Sequence, residues 1–170
     1  MQLYFCDVTE SLYQEAKKFF LNHWFSSFLS LKKSSLIGRY LVFRTLISKW
    51  VDLSCFSEWI YKIWQRYFSV SHSGDKLCYL IWLQKVAVDL EKIVPRDLSL
   101  LQNGISSRDT FYLQWCAKEC LVKYLDLDFS EVEKMKIQTI SEDTVIVQYF
   151  EKVYPLFYVI ENGYCRVWKF

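Results

Sequence analysis

The chain has 170 residues, of which 52% are hydrophobic and 19% aromatic, and its formal net charge is +2. A chain of this length forms one ordinary domain or two very small ones, and folding buries about 70% of its unfolded surface. The small charge argues against nucleic acid or a membrane surface as the partner, because proteins that bind these usually carry a strong basic excess.

Two features of the sequence predict a cytoplasmic protein. No uninterrupted apolar run approaches the roughly 20 residues of a membrane-spanning helix. The first residues also lack the basic stretch followed by an apolar one that is typical of a secretory signal. No two cysteines form a Cys-x-x-Cys element, so we expect most of them to be reduced core residues: Cys6, Cys55, Cys78, Cys116, Cys120 and Cys165.

The first half of the chain carries helical patterns and then strand patterns. A Ser11-x-x-Gln14 capping box opens a predicted helix that extends to about residue 29. Helically spaced apolar residues predict a second helix over residues 34–50 and a shorter third helix over residues 57–67. β-branched and aromatic residues then predict two strands, at 68–70 and 77–83.

The second half repeats this order from about Val86. A strand is predicted over residues 86–91, followed by a loop that contains Gly104. Ser107 or Asp109 can cap a helix that continues to about residue 125. The tail predicts three antiparallel strands, and Asn162-Gly163 is typical of a hairpin turn between the last two of them. These strands are expected at 144–150, 157–160 and 164–168.

Helices followed by strands, twice, predict an α+β protein built from two halves of similar size. The boundary falls between residues 85 and 86, so the expected halves are residues 1–85 and 86–170. The sequence itself contains no literal repeat and no linker rich in Pro or Ser. We therefore expect the two halves to share an interface.

Two carboxylates form the first group of chemically useful residues. Asp89 and Glu91 are two apart on a strand that we expect to be half-buried, so they project from one face with backbones about 6.6 Å apart. Both carboxylates can therefore reach one hard cation, of which Mg²⁺ is the natural choice. The alternative is an ordinary solvated strand face.

The predicted helix near residue 115 carries the second group. Trp115, Glu119 and Lys123 follow at i, i+4 and i+8 and lie on one face. A Glu that completes a metal site or accepts a proton, with a Lys one turn further on, suits phosphoryl-type transfer. The alternative is an ordinary helix-surface Glu to Lys pair.

Residues 69–75 form the third group, which we interpret as a donor-rich loop at a strand end. Ser71, His72 and the flexible turn at Gly74 could bind a phosphate, although the same residue types also suit a plain polar turn. A hydrolase triad of Ser71, His72 and Asp89 is disfavoured, because adjacent residues on a strand point to opposite faces.

The fourth group is the basic start of the second predicted helix. Lys32, Lys33 and Arg39 lie at or near its first turns, where cations and unsatisfied backbone N–H groups suit an anion. A solvated basic face is the alternative interpretation of this segment alone.

Four segments, in this chain order, resemble the motifs of the surfactin-type 4′-phosphopantetheinyl transferases. The Asp-x-Glu and Trp-x-x-Lys-Glu-x-x-x-Lys elements are the most specific of them, and the resemblance covers roughly residues 30–125. The segments are Lys-Ser-Ser-Leu-Ile-Gly-Arg-Tyr-Leu-Val-Phe-Arg at 33–44, Phe-Ser-Val-Ser-His-Ser-Gly-Asp at 68–75, Val-Ala-Val-Asp-Leu-Glu-Lys at 86–92 and Trp-Cys-Ala-Lys-Glu-Cys-Leu-Val-Lys at 115–123.

The resemblance implies a pseudo-dimer of two α+β halves, with coenzyme A in the cleft between them. The implied reaction moves the 4′-phosphopantetheine group from coenzyme A to a serine of an acyl or peptidyl carrier protein and releases 3′,5′-ADP. It also implies roles for particular residues. Mg²⁺ would be bound by Asp89, Glu91 and Glu119; Glu119 would take the serine proton; Lys123 would contact the pyrophosphate; and the nucleotide phosphates would be held by Lys32, Lys33, Arg39, Ser71 and His72.

Two other classes of function compete with this one. A non-catalytic module that binds coenzyme A or a carrier protein could have the same fold, although the presence of all three acidic residues favours the enzyme. A nucleic-acid binder is disfavoured by the nearly neutral charge. We expect a monomer, and the sequence leaves open whether the carrier serves fatty acid, polyketide or peptide synthesis.

Overall fold

A computed structural model describes residues 2–22, 29–47, 60–63, 66–95 and 107–170. The chain divides into two compact units, Met1–Lys85 and Val86–Phe170. Each unit contains one antiparallel sheet and helical segments that contact it. The protein is therefore of the α+β class, as the sequence predicts.

The first unit is a four-stranded sheet with two helices. Its core contains Ile37 and Val42 from the second helix and apolar residues from the strands, Phe68, Leu77, Tyr79 and Ile81. The sheet has the order β1-β4-β3-β2, and all its neighbouring strands are antiparallel. The elements are β1 (Gln2–Asp7), α1 (Glu10–Asn22), α2 (Lys33–Ile47), β2 (Ile60–Ile63), β3 (Arg66–Ser73) and β4 (Lys76–Trp82).

Helix α2 lies close against the sheet at Gly38. A Cβ atom at this position would lie 2.9 Å from Val70 Cγ1 and 3.0 Å from Leu77 Cδ1. Real Cβ atoms rarely come this close to other heavy atoms, so only glycine fits without movement of the sheet or the helix. Gly38 thus sets the depth at which α2 packs on β3 and β4.

The second unit is a five-stranded sheet against which one long helix packs. The sheet has the order β5-β9-β8-β7-β6, and helix α3 lies on β5 and β9. A short 3₁₀ helix, Phe129–Lys134, follows α3 and also contacts it. The other elements are β5 (Ala87–Lys92), α3 (Arg108–Leu125), β6 (Met135–Ile140), β7 (Thr144–Tyr149), β8 (Lys152–Glu161) and β9 (Tyr164–Lys169).

The sheets of the two units follow the same pattern of strand order. In each sheet the first strand of the unit pairs with the last strand, and the remaining strands follow in reverse chain order. In each unit, helix separates the first strand from the later ones. The chain therefore repeats at the level of strand order, although no sequence repeat is visible.

The start of helix α1 differs from the prediction. Thr9 is its cap, because the Leu12 N–H donates to Thr9 Oγ1 at 3.2 Å, whereas the sequence pattern indicated Ser11. Glu10 begins the helix instead, and its side chain accepts from Gln14 at 2.6 Å. The described part of α1 ends at Asn22, and the predicted extension over residues 23–28 lies outside the described residues.

The predicted third helix is wrong where it can be compared with the structure. Ile60–Ile63 is strand β2, paired with β3 in the register Ile60↔Ser69. Ile and Tyr favour strands, and pairing with a neighbouring strand outweighs a short helical spacing of apolar residues. Residues 48–50 of the second predicted helix, 57–59 and 64–65 of the third, and the loop around Gly104 lie outside the described residues.

Several predicted elements are confirmed. Helix α3 begins after Ser107, whose Oγ accepts from the Thr110 N–H at 3.1 Å. Asn162 and Gly163 form the hairpin turn, and both have positive φ, 52° and 74°. The strands expected near residues 68, 77, 144, 157 and 164 are present with somewhat different bounds, whereas β1, β6 and the 3₁₀ helix are not anticipated.

Two more general expectations can be compared with the described residues. No helix among them is long and apolar enough to cross a membrane. The described cysteines are thiols, and most of them are buried, namely Cys78, Cys116, Cys120 and Cys165. The expected location in the core is therefore confirmed for these positions, while Cys55 lies outside the described residues.

Candidate metal centre

Three carboxylates from two elements of the second unit converge on one point. Asp89 and Glu91 project from β5 toward helix α3, and Glu119 projects from α3 toward β5. One oxygen from each of these side chains lies within 4.8 Å of the others. The structure therefore brings together the three acidic residues that the sequence singled out.

Pairing and packing explain why β5 presents its carboxylates in this way. Asp89 lies opposite Val167 of β9, and Glu91 lies opposite Cys165. The expected half-buried strand is wrong in one respect, because Ala87, Val88, Asp89 and Leu90 are all buried. A strand covered on both faces has few positions for charge, so a carboxylate at residue 89 needs specific compensation.

Lys123 provides that compensation. Its Nζ lies 2.6 Å from Asp89 Oδ1 and donates also to the Val88 carbonyl at 3.4 Å. The Lys123 side chain is 13% exposed and the Asp89 side chain 2%, so both charges are largely shielded from water. Burial acts to lower the pKa of Lys123, but the charge and hydrogen bond of Asp89, together with Glu119, raise it above its ordinary value.

Glu119 experiences a different balance of forces. Burial, followed by the negative charge of Asp89, raises its pKa from the usual 4.5 to about 7, against the opposing effect of Lys123. Glu91 adds a smaller upward contribution, and a hydrogen bond from Trp115 a smaller downward one. A carboxylate with this pKa is close to half protonated near neutral pH, which suits a group that exchanges a proton.

Cys116 is a neighbour of the site that the sequence motifs did not single out as functional. Its thiol is fully buried and contacts Asp89 and Cys165, and its Sγ lies 3.7 Å from the Cys165 carbonyl oxygen. Burial, then these neighbours, raises the pKa of the thiol well above its ordinary value. Cys116 is therefore a neutral part of the wall behind Asp89 rather than a nucleophile.

The arrangement fits a hard divalent cation. Oxygens bound to one Mg²⁺ lie about 3–4 Å apart, because the Mg–O distance is about 2.0–2.1 Å. The three carboxylate oxygens need only a small inward movement from their present spacing to reach that range. Carboxylates are also the ligand type that Mg²⁺ prefers, so Asp89, Glu91 and Glu119 could hold it.

The cationic residues of the first unit lie near the start of α2. Lys33 forms an ion pair with Glu10, with Nζ 2.6 Å from Oε2, and lies over the Tyr13 ring at 5.5 Å. Lys32 is exposed and directly precedes the helix. Arg39 is half-buried, one turn after Ser35 on the same face of α2.

Ser71 and His72 lie on opposite faces of one strand. Residues 69–73 belong to strand β3, so the predicted donor-rich loop is reduced to a turn at Gly74 and Asp75. Ser71 is buried while His72 is exposed, because neighbouring residues of a strand point to opposite faces. His72 Nε2 lies 3.4 Å from Ser35 Oγ, which adds Ser35 to the polar group at the start of α2.

Comparison of the sequence with models of known protein families gives no match. Comparison with curated proteins also gives no similar sequence.

Proposed function

We propose that this protein is a 4′-phosphopantetheinyl transferase that uses coenzyme A, Mg²⁺ and an apo acyl or peptidyl carrier protein. The observation that carries the proposal is the convergence of Asp89, Glu91 and Glu119, with Lys123 beside them. These are the four positions at which the sequence resembles the metal and pyrophosphate residues of such enzymes. A pseudo-dimer fold is part of the proposal, and the strand order common to the two units supports it.

The transfer is a substitution at phosphorus. The oxygen of the carrier serine forms a bond to the β-phosphorus of coenzyme A, and the bond from that phosphorus to the 3′,5′-ADP oxygen breaks. The serine proton passes to Glu119, and the negative charge leaves on 3′,5′-ADP. Bound Mg²⁺ would supply neutralisation of the pyrophosphate charge.

Lys123 would also bind the pyrophosphate in this reaction. Its ammonium neutralises Asp89 in the described structure, and it can also donate to a pyrophosphate oxygen, because an ammonium carries three N–H donors. Its raised pKa keeps it charged throughout the physiological range. Lys123 would therefore stabilise the negative charge that develops in the transition state.

We assign the nucleotide phosphates of coenzyme A to residues of the first unit. Lys32 directly precedes α2, Lys33 and Arg39 lie on its first two turns, and His72 contacts Ser35 of the same helix. Cations beside the N-terminus of a helix suit a phosphate. The buried position of Ser71 argues against direct contact with the nucleotide and leaves His72 as the contact of the pair. The proposal also includes a monomeric protein in the cytoplasm.

Mass spectrometry of the carrier protein tests the proposed function. Apo carrier, coenzyme A and Mg²⁺ are mixed with the wild-type chain, with Glu119→Gln, or with Glu133→Gln, a control at an exposed glutamate of the 3₁₀ helix. We expect the wild type and the control to add one phosphopantetheine group. Glu119→Gln should add no phosphopantetheine to the carrier, because an amide cannot take the serine proton. Calorimetry should show that this variant still binds coenzyme A.

Two results would contradict the proposal in different ways. A wild-type chain that binds coenzyme A but modifies none of the carriers tested would indicate a binding module instead of an enzyme. Full transfer by Glu119→Gln would remove Glu119 from its role as the base.

A further inference from the structure

A group of exposed residues lies where β6, β7 and β8 of the second sheet run side by side. Val153 of β8 is 60% exposed and lies opposite Gln148 of β7, which in turn lies opposite Lys136 of β6. Side chains directly opposite each other project from the same face of a sheet. Buried Val147 projects from the other face, toward α3, so this row faces away from the helix and its metal centre.

Phe150 stands beside this row, at the turn that joins β7 to β8. Its side chain is 66% exposed, although its ring meets that of Tyr149 edge to face with centroids 4.6 Å apart. Its φ is 52°, a left-handed conformation that Gly or Asn favours in hairpin turns and that bulky residues rarely adopt. An exposed aromatic residue in an unfavourable backbone conformation is a pattern that points to function rather than to stability.

A cleft of about 190 Å³ adjoins the Phe150 ring and is lined also by Lys134, Lys136 and Gln148. A cavity of about 150 Å³ can hold a benzene molecule, so this cleft has room for one large apolar side chain. Lys134 is held in place by Glu131, with Nζ 2.6 Å from Oε1. Within the part of the chain that the structure describes, Lys136 has no ion-pair partner. The charged residues that line the cleft are therefore both cationic.

The position of these residues on a sheet face favours a helix as the partner. A helix covers the face of a sheet, whereas an added strand would pair with its edge. Strand β6 is the edge next to the cleft, and its register shifts between Ile137 and Thr139. An irregularity of this kind interrupts the row of backbone groups that an added strand would need.

We propose that the hairpin patch, formed by Lys134, Lys136, Gln148, Phe150 and Val153, is a docking surface for an acidic amphipathic helix of another protein. An apolar side chain of that helix enters the cleft beside Phe150, and its Asp or Glu residues pair with the two lysines. Buried aromatic contacts supply most of the affinity at such surfaces, and complementary charges supply specificity. The inference is independent of the proposed function, because it uses no residue of the metal centre.

Fluorescence anisotropy with two labelled helical peptides tests this surface. The peptides share the same leucine positions, and the polar positions are Glu in one and Lys in the other. We expect the wild type to bind the Glu peptide at least 10-fold more tightly than the Lys peptide. Lys136→Glu should weaken binding of the Glu peptide about 10-fold. Lys152→Glu is the matched control, because it makes the same charge change at an exposed lysine on the other face of the hairpin.

Phe150→Asn separates a role in binding from a role in folding. Asn accepts a positive φ better than Phe does, and most of the Phe150 ring is exposed, so the urea midpoint should not fall. The same variant should bind the Glu peptide about 10-fold more weakly. A lower urea midpoint with unchanged peptide binding would show that Phe150 serves packing on Tyr149, and it would overturn the inference.

Other results would also overturn the proposed partner. The charge argument fails if the wild type binds neither peptide, binds both equally, or loses as much affinity in Lys152→Glu as in Lys136→Glu. Tighter binding of a labelled oligothymidylate than of the Glu peptide would identify a nucleic-acid surface instead. Self-association in analytical ultracentrifugation that Phe150→Asn abolishes would identify a second copy of the chain as the occupant.

Discussion

Lys123 forms a buried ion pair with Asp89 beside the carboxylates of the second unit. Removing one partner of a buried ion pair leaves the other charge without compensation, which costs about 3–5 kcal/mol. We therefore expect Lys123→Met to lower the free energy of unfolding by about 3 kcal/mol in the presence of EDTA, because Asp89 loses its ammonium. Urea denaturation at slightly alkaline pH measures this change.

A divalent cation should recover part of that stability. Mg²⁺ bound by the three carboxylates would replace the positive charge of the ammonium, so the loss in Lys123→Met should shrink when Mg²⁺ is added. Lys134→Met is the matched control, because the Lys134 to Glu131 pair is more exposed and worth about 1 kcal/mol or less. The same loss with and without Mg²⁺ would contradict a metal site at Asp89.

The raised pKa of Glu119 predicts a pH dependence of stability. Its pKa is about 7 in the folded chain and about 4.5 in an unfolded one, so the folded state binds more protons between these values. Stability of the metal-free chain should therefore fall as pH rises from about 4.5 to about 7 and then level off. The half-buried position limits this loss to about 1–3 kcal/mol.

Glu119→Gln removes that dependence, since an amide does not titrate. In EDTA the variant should match the wild type at about pH 4.5 and become the more stable protein by about pH 8. Urea denaturation of both proteins at a series of pH values gives the comparison. Parallel pH profiles for the two proteins would show that the pKa of Glu119 is not raised.

At the scale of elements, Gly38 controls how α2 meets its sheet. Alanine favours the helix by about 1 kcal/mol, but its Cβ would press on Val70 and Leu77. Overpacking of this kind costs about 1–3 kcal/mol, so Gly38→Ala should destabilise the protein by about 1–2 kcal/mol. A smaller loss in a Val70→Ala background, measured in a double-mutant cycle, would support contact with Val70, and a stabilising Gly38→Ala would contradict it.

Local signals predicted some elements well and others poorly. Helix α3 could be predicted because its cap, Ser107, and its apolar face lie within the segment itself. The helix predicted at residues 57–67 is wrong because β2 depends on pairing with β3, and a strand partner is not visible in local spacing. Strand β1 was missed for the same reason, since its partner β4 lies some 70 residues further along the chain.

At the scale of the whole molecule, the strand order that the two units share could not be predicted from sequence patterns. Pairing of the first and last strands in each unit depends on contacts between distant residues, and the units share no literal repeat. The succession of helices and strands could still indicate the α+β class, because it requires only the type of each segment.

Some features of the candidate site could likewise be predicted from the sequence, and others could not. Spacing could place Asp89 and Glu91 on one face of a strand and Glu119 and Lys123 on one face of a helix. Their convergence was expected only from the family resemblance, because it depends on how α3 packs on β5. The contacts of Cys116 with Asp89 and of Ser35 with His72 could not, because they depend on packing between elements. The opposite orientation of Ser71 and His72 follows from their place in a strand, whereas the sequence pattern indicated a loop.

The cluster of Asp89, Glu91 and Glu119 as a divalent-metal site is the central claim. Mn²⁺ titration of the wild type, Glu91→Gln and Glu161→Gln tests it most directly, with Glu161 as an exposed control at the end of β8. We expect a single Mn²⁺ ion per wild-type chain and an unchanged control. Loss of a ligand in Glu91→Gln should weaken binding at least as much as the roughly 10-fold effect of losing an outer partner. Equal Mn²⁺ affinity in the wild type and Glu91→Gln would contradict the metal site.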